Sequence, residues 1–168
     1  DHRQIKQTIM QLNEIHEYLG ENDIDAWLIY DFRASNAIFS QLLERQYWTT
    51  RRVMLIIPKV GEPIMLAHAI DAPILAAGNI RLVVYRSWMD WERELQTRLH
   101  QMNRVAMEYV AGGALPAASG VDAGTIEFVR ACGCEVVSSR DLVQVSVARW
   151  SADAVRALSR THPSVRVR

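Results

Sequence analysis

The sequence predicts an α/β domain of three layers, with a mixed sheet of about six strands between helices on both faces. Two observations carry this. Short apolar runs such as 27–30 (WLIY) and 53–57 (VMLII) suit strands covered on both faces, and they alternate with segments whose apolar residues recur at helical spacing. The chain has 168 residues, 49% of them hydrophobic, which is enough for one domain with a substantial core and too little for a second of ordinary size. Residues 1–150 are expected to form that domain and 151–168 a linker or tail.

The elements follow in order. Ile5, Ile9, Leu12, Ile15 or His16, and Leu19 recur at helical spacing, so the chain opens on an amphipathic helix that Gly20 is placed to end. His16 reads as a half-covered helix residue, and Asp23 and Asp25 as turn and cap residues before the first strand. That strand, from Ala26, runs directly into the polar tip Asp31, Arg33, Ser35 and Asn36. Ile38, Phe39, Leu42 and Leu43 fit a short helix capped by Asn36 or Ser35. Arg51 and Arg52 precede the strand VMLIIP, which the turn KVGEP connects to PIMLAH as an antiparallel hairpin.

Asp71 and Pro73 then open a short helix over 74–77 that Gly78 closes. RLVVYR is a strand, and Trp88, Trp91, Leu95 and Leu99 define a helix with Ser87 as its cap. RVAMEY is the next strand, and the adjacent glycines and proline of VAGGALP require a sharp turn. A helix over 121–131, the strand CEVVSS and a helix over 141–150 complete the domain.

Charge excludes several classes of partner. Lys+Arg and Asp+Glu are each 19, so no long-range field draws in nucleic acid or an anionic membrane. No apolar run approaches the roughly 20 residues of a membrane span, and the first residues lack a signal-peptide core, so a cytoplasmic protein is expected. Cys132 and Cys134 are separated by Gly133 alone, too close to form a disulfide without straining the backbone, and read as structural thiols.

Polar groups gathered past the carboxyl end of a central strand mark where open α/β sheets place their sites. Asp31, Arg33 and Asn36, with Arg51 and Arg52 from the start of the next strand, are therefore the candidate ligand contacts. A guanidinium grips a carboxylate with paired hydrogen bonds, which suits a peptide terminus or an acidic side chain. The competing reading is an internal Asp–Arg ion pair plus a helix cap. Asp31, Glu108 and Asp141 could also converge as a magnesium site of the nuclease type, although the neutral charge argues against it and an arginine partner for Glu108 is the simpler expectation. The double glycine is no dinucleotide fingerprint, and there is no phosphate loop, no nucleophile elbow and no supporting group beside His68 or His100.

Taken together, ENDIDAWLIYDFRASN, TRRVMLIIPKVGEPIMLAH, VAMEY followed by LP, VDAGTIEFVR and EVVSSRDLVQ resemble the amino-terminal domain of the creatinase, prolidase and aminopeptidase P metallopeptidases. The similarity runs from Ile5 to about Trp150. It implies an Xaa-Pro dipeptidase-like parent whose chemistry lies in a following pita-bread domain. There, two Asp, one His and two Glu hold a pair of divalent metals, commonly manganese, cobalt or zinc.

None of those ligands maps onto this chain, so catalytic residues, metal ligands and cofactors are expected to be absent from it and the chain alone to be inactive. The resemblance further implies a homodimer, short proline-containing peptides as substrates of the parent, and a border role for Asp31, Arg33, Asn36, Arg51 and Arg52 at the partner subunit's active site. Trp48 or Trp88, if exposed, would anchor an interface. The tail, where Pro163 breaks a helical pattern, departs from the family and is expected to leave the catalytic domain absent. A stand-alone binding module that retains the fold is the alternative.

Overall fold

The computed structural model describes residues 2–43, 47–76, 80–114 and 119–146. The elements are α1 (His2–Glu21), β1 (Ala26–Phe32), α2 (Ala37–Leu42), β2 (Arg52–Pro58), β3 (Ile64–His68), α3 (Ala72–Leu75), β4 (Arg81–Tyr85), α4 (Trp88–Leu99), β5 (Arg104–Met107), α5 (Ala123–Ala131), β6 (Glu135–Ser138) and α6 (Arg140–Ser146). Among the described residues these strands form one six-stranded mixed sheet in the order β4-β3-β2-β1-β5-β6. The predicted hairpin is present: β2 pairs antiparallel with both β1 and β3. The remaining pairs are parallel, so β2 alone runs against the others. Gly61, at φ +107°, makes the turn between β2 and β3, a conformation L side chains avoid.

β1 and β2 lie at the centre of the sheet and are buried on both faces. Alternate side chains go to opposite sides, as the period of a strand requires. Trp27 and Ile29 join Ile15 and Leu19 of α1, Phe39 of α2 and Leu142 of α6 in one core. Leu28 and Tyr30 join Trp91, Leu95 and Leu99 of α4 and Ile126 and Val129 of α5 in the other. Burying a large apolar side chain contributes about 1.5–3 kcal/mol, so the fully covered residues of β1 bind both helical layers to one strand.

At the opposite end of β1, Asp25 ties three segments together. Its carboxylate accepts from the backbone N–H of Asn103 at 2.7 Å and of Arg104 at 3.2 Å, and faces Lys59 Nζ at 3.4 Å. Those hydrogen bonds, that from Asn103 above all, hold its pKa below the usual carboxylate range. Asp25 is thus a structural residue of the turn.

Several boundaries differ from those read in the sequence. The fifth helix begins at Ala123, because Asp122 acts as its N-cap and accepts from Thr125 N–H at 2.9 Å. The third covers Ala72–Leu75, and Asp71 gives it no side-chain cap. Residues 77, 78 and 147–168, including the expected tail, lie outside the described residues. Cys132 and Cys134 are free thiols, and Cys134 is buried with Sγ donating to the Met102 carbonyl at 3.4 Å.

Candidate functional site

The tip after β1 is held by Asp31, which is fully buried. Its carboxylate accepts from Ala34 N–H at 3.1 Å, Asn36 N–H at 2.8 Å and the Thr49 hydroxyl at 3.2 Å. The internal Asp–Arg ion pair of the competing reading does not form: among the described residues, the Asp31 oxygens are taken by backbone and hydroxyl donors. Asn36 is the N-cap of α2, accepting from Ile38 N–H at 3.0 Å while its own amide donates to the Tyr30 carbonyl at 2.7 Å. Asp31 and Asn36 are therefore buried supports of the tip, and the cap reading of Asn36 holds.

This scaffold forces Arg33 and Ala34 into the left-handed region, at φ +60° and +56°. Each costs about 1–2 kcal/mol relative to ordinary backbone, and the consequence is that Arg33 is presented to solvent. Arg51 is also exposed, with its backbone N–H donating to Asp71 at 2.8 Å. Arg52 differs. It is half-buried, opposite Phe32 in the β1–β2 ladder, and its guanidinium lies over the Trp91 ring at 5.1 Å from the centroid.

The sequence reading missed two residues that position this edge. Asp71, almost fully buried, accepts from Thr50 N–H at 3.0 Å, the Thr50 hydroxyl at 3.2 Å and Arg51 N–H, and so fixes the start of β2 from the far side of the hairpin. Thr49 does the same from within the segment through Asp31. An Asp beside a Pro-started helix reads locally as a cap, and only the β2–β3 pairing brings it to residues about twenty positions earlier.

Together Arg51, Arg52, Arg86, His68, Phe32 and Trp88 line a pocket of about 260 Å³. His68 is not a free base there. Its Nδ1 accepts from Ile70 N–H at 3.2 Å, Nε2 contacts the Arg86 carbonyl at 3.2 Å, and its ring packs edge-on against Tyr85. Trp48 and Trp88 are 69% and 61% exposed, so neither is a core residue.

Among the described residues, neither carboxylate oxygen of Glu108, 3% exposed just beyond β5, has a hydrogen-bond partner, nor does the buried Nε1 of Trp27. Burial pushes its pKa up to about 7 against smaller opposing influences from its own backbone, the Asn36 amide and the Trp27 indole. The expected arginine partner is not found among the described residues. Asp141 lies elsewhere, accepting from the Tyr18 hydroxyl at 3.4 Å. The magnesium cluster does not assemble: among the described residues no group of three or more His, Cys, Asp or Glu could hold a metal ion. Nor is any helix among them long and apolar enough to cross a membrane.

This sheet order with its flanking helices is the creatinase/prolidase amino-terminal domain fold, so the resemblance read from the sequence holds at the level of the fold. The creatinase/prolidase N-terminal domain of an X-Pro dipeptidase from Streptococcus pyogenes superposes with a TM-score of 0.64 at 11% identity, covering 80% of this chain and 97% of that one. A dipeptidase from Pyrococcus horikoshii gives 0.66 at 15% identity, over 89% of this chain and 39% of that one. The prolidase from Pyrococcus horikoshii gives 0.56 at 13% identity, over 90% and 38%. The chain therefore spans less than two-fifths of either Pyrococcus protein, and the whole of the matched streptococcal domain but a few per cent. No family model matches the chain, and no curated protein matches it in sequence.

Proposed function

We propose that this chain is the non-catalytic amino-terminal domain of a metal-dependent Xaa-Pro dipeptidase or aminopeptidase P-like hydrolase. In that protein it contributes to dimerisation and borders the partner subunit's active site, while the pair of manganese, cobalt or zinc ions and the hydrolysis of short proline-containing peptides belong to the rest of the parent. The observation that carries the reading is the agreement with the streptococcal domain over 97% of its length.

Arg33 and Arg51 are the border residues in this reading. Both are exposed at the carboxyl edge of the sheet, and a tip strained at two successive non-glycine residues is a costly way to present a guanidinium unless something is gripped there. Trp48 and Trp88 serve as interface anchors, since exposed aromatics are enriched in such surfaces. In the full-length parent, Arg33→Ala and Arg51→Ala should each change the ratio of kcat/KM between two Xaa-Pro dipeptides by about tenfold, the worth of one charge-assisted contact. Unchanged kinetics together with an unchanged dimer would overturn the proposal.

A further inference from the structure

A groove of about 640 Å³ opens on the α4 and α5 side of the sheet, over the carboxyl end of β1. That volume lies within the roughly 300–1,000 Å³ usual for small-molecule sites. Its lining is aromatic, with Tyr30, Phe32, Trp91 and Phe128, and carries three charged side chains: Arg52 from the sheet, Glu92 from α4 and Asp122 from the start of α5.

The guanidinium of Arg52 is held in place. It lies on Trp91, which packs edge-on against Tyr85 at 5.0 Å, and the Tyr85 hydroxyl donates to the Arg52 carbonyl at 2.8 Å. Among the described residues Arg52 has no carboxylate within ion-pair distance. A half-buried, oriented guanidinium without a counter-ion is suited to an incoming oxyanion. The opposite charge is also fixed. Burial alone would raise the Asp122 carboxyl, but the Thr125 hydroxyl at 2.7 Å and N–H at 2.9 Å hold it below its usual range, so it is anionic at neutral pH.

A simple anion entering this groove meets repulsion from Glu92 and Asp122, and a simple cation meets it from Arg52. A molecule bearing both charges around an apolar body satisfies every wall. We propose that the α4/α5 groove is a binding site for a free amino acid with a large apolar side chain, its carboxylate on Arg52, its ammonium toward Glu92 and Asp122, and its side chain among Phe32, Trp91 and Phe128. Of the border residues that the resemblance implies, Arg52 alone lines the groove, and the binding test below is made on this chain without the peptidase.

Isothermal titration of the full chain with L-phenylalanine tests this. The expected result is saturable binding with a Kd of about 1 mM or tighter, weakened about tenfold or more when the amine is acetylated or the carboxylate amidated, since each block removes one charge-assisted contact. Arg52→Gln should cause the same loss, whereas Arg81→Gln, on β4 outside the groove, should not. To guard against a folding defect in Arg52→Gln, the wild-type amide resonances of Tyr30, Gly124 and Thr125 should move on titration with phenylalanine. No heat at about 10 mM, equal binding of the blocked analogues, or shifts confined to other residues would each overturn the site.

Discussion

Burial lets Glu108 keep, up to about pH 7, the proton that most carboxyls lose around pH 4. With both oxygens buried and without a hydrogen-bond partner among the described residues, the charged form is disfavoured, and the folded pKa rises from 4.5 to about 7. The linkage sign follows: a raised carboxyl pKa contributes its full stability below the unfolded value of 4.5, and that contribution is lost as pH rises through about 7. Well above that pH the loss is roughly 3 kcal/mol, the free energy that corresponds to the gap between the two pKa values. Glu108→Gln removes the titration while keeping the shape. It is expected to match the wild type near pH 4 and to exceed it by roughly that amount near pH 9, measured by urea unfolding at both values. A wild-type profile that is flat between those pH values would show that the carboxyl is solvated. The sequence shows Glu108 as a carboxyl at a strand end, but its desolvation depends on distant segments, Trp27 of β1 and Asn36 of the tip among them, which no local pattern records.

Helices and strands were legible where a local rule decides them. Ser87 caps α4, as its position before Trp88 suggests, and the full capping box is present: Asp90 N–H donates to the Ser87 hydroxyl at 3.1 Å, and Ser87 N–H donates to Asp90 at 3.1 Å. Ser87→Ala should therefore cost about 1 kcal/mol, visible as a lower urea midpoint with an unchanged slope. The tip between β1 and α2 makes the contrasting case. Nothing in DFRASN announces left-handed backbone at Arg33 and Ala34, since neither is Gly or Asn; the conformation is imposed by Asp31 reaching to Ala34, Asn36 and Thr49. Ala34→Gly should relieve about 1 kcal/mol of that strain and raise the thermal midpoint. If it lowers the midpoint, the packing of Ala34 against the core outweighs the backbone term. Legibility thus ends where a side chain bonds across the sheet: Asp31 reads as a ligand contact or ion-pair partner and Asp71 as a cap, because the donors Thr49 for Asp31 and Thr50 and Arg51 for Asp71 lie about twenty residues away in sequence.

One sheet separates two hydrophobic cores, and the molecule's cooperativity depends on whether the sheet couples them. Phe39 belongs to the core under α1, α2 and α6, and Leu95 to the core under α4 and α5; both are fully buried. Their contacts do not overlap, yet β1 and β2 send alternate residues into both, so neither layer can be lost without exposing the back of strands the other needs. Phe39→Ala should cost about 3–5 kcal/mol and Leu95→Ala about 2–5 kcal/mol, the usual range for emptying a core site. Because the sites are distant, the double variant should lose nearly the sum. All three should unfold in one transition seen alike by far-ultraviolet circular dichroism and tryptophan fluorescence, with the fluorescence reporting Trp91 in one core and Trp27 in the other. A biphasic curve in Leu95→Ala with an unperturbed first phase in Phe39→Ala would mean that the two faces are separate folding units. The α4/α5 groove would then lie on a layer able to open alone, and ligand binding there would stabilise that layer without tightening the tip that carries Arg33.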